Sequence, residues 1–188
     1  MAEPNRRHLL KHIVLAGLVP TTLTLTGCVG TGIDLGVSDS SKTDGLDPAQ
    51  GRIITNARHI SRGASLTSAY RQKNGQGPVT PNAKLQRLAE RHALVMARTG
   101  KVQHAIGFGD SFVRRLHASG YVAQEAAENI SGGFDTIEQA MVGWQESPGH
   151  RKNMLKPAVR EIGLGVSSNP TTGLKTFWVM VLGVQVRV

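Results

Sequence analysis

The sequence predicts an α+β domain, with helices packed on a small, mostly antiparallel sheet, behind an N-terminal leader. Three observations predict it. Between residues 63 and 147, apolar side chains recur at helical spacing in four segments punctuated by Gly, Pro and Asn. From residue 162 the period changes to alternation, with β-branched and aromatic residues flanking a turn. The single cysteine stands at residue 28, ahead of all these segments, so no internal disulfide braces the domain and an apolar core must hold it.

Residues 1–27 read as a signal peptide. Arg6, Arg7 and Lys11 form a basic n-region, and the apolar stretch from Ile13 to Leu25 is shorter than the roughly 20 residues a membrane-spanning helix needs. Asn5-Arg6-Arg7-His8-Leu9-Leu10-Lys11 follows a twin-arginine pattern. Leu25-Thr26-Gly27-Cys28 resembles the lipobox of bacterial lipoproteins, which makes Cys28 the expected acylated residue and the membrane its partner. Residues 28–50, rich in Gly, Ser, Thr and Asp, read as a flexible tether, and residues 51–188 as the globular domain.

Within the domain, Leu66, Ala69 and Tyr70 mark a first helix over Gly63 to Lys73, ending near Asn74-Gly75. Thr80 is the expected N-cap of the second, with Pro81 at its first position. That helix carries Leu85, Leu88, Ala89, His92, Val95 and Met96 on one face and stops at Gly100. A third starts near Asp110, buries Phe112, Val113 and Leu116, and ends at Gly120. The fourth is expected to be capped by Asp135, with Glu138 reaching back; its stripe is Ile137, Ala140, Met141 and Trp144, and Ser147-Pro148-Gly149 breaks it. In Ile162-Gly163-Leu164-Gly165-Val166 one face packs while the glycine face admits a close neighbour. Asn169 to Gly173 form a turn, and Thr176 to Val186 a strand that pairs back as an antiparallel hairpin.

The net charge of +9 and pI near 10.3 raise the question of an acidic partner. Lys and Arg are not interleaved with aromatics, which are only 4% of the chain, so a stacking groove for nucleic acid is not expected. The balance favours anionic lipid or wall polymers.

Several stretches resemble, in order, the CAP superfamily, also called SCP or PR-1-like. Trp144-Gln-Glu-Ser-Pro-Gly-His150-Arg-Lys-Asn153-Met-Leu155 is similar to the bacterial form of its strongest motif. Glu128-Asn129-Ile130 resembles a second, with Ala127 in place of the usual Gly. Leu85…Ala89…His92-Ala93…Met96-Ala97, His104, Phe112…Arg115-Leu116…Gly120-Tyr121, Glu161 to Gly165 and Phe177-Trp178 complete the match over residues 64–185. The resemblance implies an α-β-α sandwich. It also implies a cleft in which His104, Glu128 and His150 meet and the imidazoles can hold a divalent metal such as Zn²⁺. The position of the second acidic residue in eukaryotic relatives is Ser147 here, and the neighbouring Glu146 is turned about 100° away on a helix.

Read from the residues alone, two imidazoles and a carboxylate suit Zn²⁺ with open positions. They suit equally a buried hydrogen-bond network tying loops together. His92 reads as a bonded core residue; His59 and His117 read as surface. Ser147 near His150 lacks the nucleophile elbow and an orienting acid. Three functions follow. The first is an exported, lipid-anchored envelope module that faces the periplasm or cell exterior and binds a small apolar or anionic ligand without catalysis. The second is a metal-assisted hydrolase of cell-wall peptides with Glu128 as general base. The third is a domain that docks another envelope protein.

Overall fold

The computed structural model describes residues 50–186. The signal peptide, the lipobox, Cys28 and the tether up to residue 49 lie outside the described residues.

Ten elements follow in chain order: β1 (Arg52–Ile53), α1 (Ala57–Lys73), β2 (Thr80–Pro81), α2 (Ala83–Thr99), α3 (Phe112–Ala118), β3 (Ala123–Gly132), α4 (Ile137–Glu146), α5 (Pro148–Met154), β4 (Glu161–Asn169) and β5 (Lys175–Gln185). The sheet runs β1-β4-β5-β3, antiparallel throughout, with the short β2 added parallel to β4. The expected hairpin is β4–β5, in register from Glu161 opposite Gly183 to Asn169 opposite Lys175.

The alternation of β5 explains the layering. Phe177, Val179 and Val181 face one core with Leu85, Leu88, Ala89, Ala93 and Met96 of α2, joined by Leu116 of α3. Trp178, Met180 and Leu182 face another, with Ala64 of α1 and Ile137, Ala140, Met141 and Trp144 of α4. Successive strand residues point to opposite faces, so a strand apolar at every position must be covered on both. This is an α-β-α sandwich.

Gly163 and Gly165 have the close neighbour their alternation implied. A Cβ on Gly163 would fall 2.2 Å from the backbone carbon of Leu85, and one on Gly165 2.4 Å from that of Ala89. α2 therefore lies directly on the β4 backbone. Gly100 ends α2 in the left-handed conformation, φ 67°.

Several boundaries differ from the sequence expectation. α1 begins at Ala57, six residues early, because Asn56 caps it by accepting from the His59 amide. Thr80 is not the cap of α2: the Thr80 amide donates to the Arg160 carbonyl at 2.9 Å within β2, and Asn82 caps the helix by accepting from Lys84 and Leu85. Val95, placed on the apolar face, is 36% exposed, and Ala93 and Ala97 are buried instead. Val113 is likewise exposed. α4 is capped by Thr136 with Gln139 closing the capping box, not by Asp135 and Glu138. Pro148 ends α4 as expected, but it also opens α5, where Pro is tolerated at the first position.

Candidate functional site

β3 is the edge strand, and its polar segment Glu125-Ala-Ala-Glu128-Asn129 lies where an unpaired edge exposes carbonyls. Side chains from the α4–α5 segment satisfy them. Trp144 Nε1 donates to the Ile130 carbonyl at 3.3 Å, and Asn153 Nδ2 to the Glu128 carbonyl at 3.3 Å. Asn153 also donates to Asn129 Oδ1 at 3.0 Å, and Asn129 Nδ2 donates to the His150 carbonyl at 3.1 Å. The Trp144-to-Asn153 motif is thus in large part a clasp on the edge strand. It fixes His150 as the third residue of α5, where the sequence placed it in a loop beyond a helix.

On the other side of β3, Glu128 shares its face with Ala126 and Ile130 and turns toward α3 and the segment that follows α2. Its side chain is 1% exposed. Arg115 of α3 meets it in a two-pronged pair, Nη2 lying 3.0 Å from Oε1 and 2.8 Å from Oε2. His104 Nδ1 lies 2.9 Å from the same Oε1. A carboxylate only accepts, so Nδ1 carries the proton of this bond and Nε2 is the atom left for a ligand, on a ring 56% exposed.

The segment carrying His104 is pinned at four points. Arg115 Nη1 donates to the His104 carbonyl at 2.9 Å and to Asp110 Oδ1 at 2.8 Å. The Ile106 amide donates to Asp110 Oδ2 at 2.8 Å. His92, buried on α2, makes a 2.9 Å bond to the Gln103 carbonyl through Nε2, which must therefore be the protonated nitrogen; its Nδ1 is buried without a partner. Burial alone would raise the Asp110 carboxyl, but the Ile106 amide and Arg115 more than offset it and hold the group below its ordinary value. Burial pushes His92 down from the usual imidazole value, with the Glu128 charge opposing. His150 is also pushed down, first by burial and then by the charge of His104.

The structure brings His104 and Glu128 into contact and ties His150 to the same strand through Asn129. Ser147 sits at the α4–α5 junction with no side-chain bond to the amides of α5. Glu146 lines a separate cavity of about 560 Å³ with Phe134 and Val142, so it does not supply the second acid. His92 is a bonded core residue and His117 is exposed, as read from sequence. His59 is not a surface residue: it is half-buried, edge-on to Trp178 with ring centroids 5.8 Å apart.

Among the described residues no group of three His, Cys, Asp or Glu side chains is arranged to hold a metal ion. Arg115 is a further obstacle. It engages both Glu128 oxygens and puts a fixed positive charge where a dication would need a ligand, so the carboxylate does not fit a three-donor Zn²⁺ site. Arg115, Asp110, Asn129 and Asn153 are the members of this network the sequence reading missed; Arg115, Asn129 and Asn153 stood in the quoted motifs, without a role.

An α-β-α sandwich with this clasped edge strand and a His104–Glu128–Arg115 network defines the class of protein. Residues 64–182 match the family described as CAP, the cysteine-rich secretory protein family, and the chain belongs to it. The matched segment contains no cysteine. An uncharacterized protein of Bacillus subtilis (strain 168), YkwD, is 33% identical over 100 residues, which are 53% of this chain and 39% of that protein. The match therefore spans well under half of that relative. Solved structures that share the fold include two from bacteria. An extracellular protein containing an SCP domain from Bacillus anthracis str. Ames superposes with a TM-score of 0.60 at 22% identity, over 68% of this chain and 40% of that one. An outer surface protein of Borrelia burgdorferi superposes with a TM-score of 0.64 at 17% identity, over 72% of this chain and 99% of that one.

Proposed function

We propose that this chain is an exported envelope module, lipid-anchored through Cys28, whose cleft binds a small apolar or anionic ligand between His104 and His150 without catalysis. One observation carries the ligand reading. Glu128 accepts a hydrogen bond from His104 Nδ1 while paired with Arg115, an arrangement that orients an imidazole toward solvent and engages both oxygens of the acid that a hydrolase would need as general base. The same arrangement weighs against the metal-assisted hydrolase. Zn²⁺ enters this reading only as a ligand of two imidazoles.

Octanoate, an apolar anion, tests it. Titrated into the full chain, it should shift the ring resonances of both His104 and His150, and the double variant His104→Ala/His150→Ala should lose binding by calorimetry. Unmoved ring resonances, or unchanged affinity in the double variant, would remove the cleft from the account.

Export is supported by the leader and lipobox, and by structural relatives that are described as extracellular or outer-surface proteins. Expressed in a bacterial host, the parent should incorporate labelled palmitate and Cys28→Ser should not.

A further inference from the structure

The exposed charged side chains of the α2–α3 layer are cationic. Lys84, Arg87, Arg91 and Arg98 are exposed on one side of α2, a stripe about 20 Å long at 1.5 Å per residue. Arg114 of α3 is exposed as well. The two helices lie side by side: Lys84 Nζ donates to the Gly120 carbonyl beyond α3 at 2.8 Å, and Arg91 lines a hollow with Arg115, Ala118 and Ser119. The acidic residues of α2, α3 and the segment between them are Glu90 and Asp110, and neither is exposed. Glu90 accepts from Gln86 at 2.9 Å, and Asp110 is held by Ile106 and Arg115.

Beside these cations the chain presents a large apolar side chain to water. Phe108 is 110% exposed, raised between Gly107 at φ 95° and Gly109 at φ 73°, backbone conformations that glycine adopts without strain. The Arg114 guanidinium lies against Gly109, where a Cβ would fall 2.7 Å from Nη1. Val113, on the first turn of α3, is 58% exposed.

We infer that this face docks on an anionic lipid bilayer, with the α2 and α3 cations against the headgroups and Phe108 inserted at the acyl boundary. Cations alone suit any polyanion. Phe108 discriminates: a soluble polyanion offers it no apolar phase, whereas the bilayer interface takes up an aromatic ring and rewards flanking cations with about a fivefold gain in partitioning each. The inference is independent of what the cleft binds, although the segment that carries Phe108 also carries His104.

The test uses the full chain with Cys28→Ser, so that no acyl chain forms, and Phe108→Trp. Trp144 and Trp178 are each 1% exposed, so the new indole reports position 108. On vesicles of brominated phosphatidylglycerol and phosphatidylcholine its emission should shift to the blue and be quenched, and pure phosphatidylcholine or high salt should abolish both. Arg87→Gln/Arg91→Gln/Arg114→Gln in the same background should weaken partitioning about a hundredfold. Because every variant keeps the leader, the difference belongs to this face. Emission that does not respond to vesicles, or a triple variant that partitions like its parent, would overturn the inference. So would equal retention of the parent and Phe108→Ser on both vesicles and soluble polyphosphate, which would assign the face to a polyanion.

Discussion

Arg115 uses all four Nη hydrogens: two on Glu128, one on Asp110 and one on the His104 carbonyl. Its side chain is 16% exposed and that of Glu128 1%, so this is a largely desolvated pair rather than a surface bridge. Removing one partner of such a pair leaves the other charge buried, at about 3–5 kcal/mol. Arg115→Ala should lose that much by chemical denaturation, and Glu128→Gln added to it should recover part by removing the stranded charge. Arg115→Lys should not substitute, because one ammonium on Glu128 leaves no second nitrogen for Asp110 and the His104 carbonyl, which Nη1 serves. A loss near zero for Arg115→Ala would mean the pair is not formed in solution. His92 supplies a second prediction. Its folded pKa is depressed by burial, so the unfolded chain takes up the proton first, and stability falls with pH once the ordinary value of 6.5 is passed, down to the folded value. His150 adds to the same slope. His92→Gln should flatten the decline of midpoint denaturant between about pH 7 and 5; a parallel decline in the variant would locate the slope elsewhere.

At the scale of elements, the legible parts were those whose apolar period is read by their own packing. The stripes of α2 and α4, the Gly100 stop and the β4–β5 hairpin are of this kind. β3 was not legible: Ala-Gln-Glu-Ala-Ala-Glu-Asn-Ile-Ser-Gly is poor in β-branched residues, and it is a strand because β5 pairs with it and Trp144 and Asn153 close its free edge. α5 escaped for the same reason, since Pro-Gly-His-Arg-Lys-Asn reads as a turn until the clasp on Asn129 gives it a place. Of the candidate site, the His104–Glu128 contact was legible through the motifs, but its wiring was not, because Arg115 lies in a separate helix and reaches Glu128 only in three dimensions. The glycines give a sharp test at this scale. Gly163→Ala and Gly165→Ala drive a Cβ into α2 backbone, which has no rotamer by which to yield, so each should cost about 3 kcal/mol or more. Gly149→Ala meets nothing within 4 Å on α5 and should be neutral or gain up to about 1 kcal/mol. Thermal or denaturant midpoints of the three variants decide it; comparable effects at all three sites would show that α2 does not bear on β4 so closely.

For the whole molecule, the question is whether two cores mean two folding units. The α1–α4 core and the α2–α3 core share no helix, yet they share β5, whose residues from Phe177 to Leu182 are at most 1% exposed and alternate between them. Arg71 adds a tie within the first core, donating to the carbonyls of Gly77, Met154, Lys156 and Val159 from a fully buried position. Losing either layer would bare one face of a sheet that is apolar on both, so a half-folded domain keeps little of the burial that stabilises it. The domain should therefore unfold in one step, as small single domains commonly do. Trp144 and Trp178 both lie in the α1–α4 core, so their fluorescence follows that layer, while amide exchange along α2 follows the other. The two should share one denaturant midpoint and one slope. An earlier loss of α2 protection, with tryptophan emission still native, would instead make the α2–α3 layer a separate unit laid over a sheet stable without it.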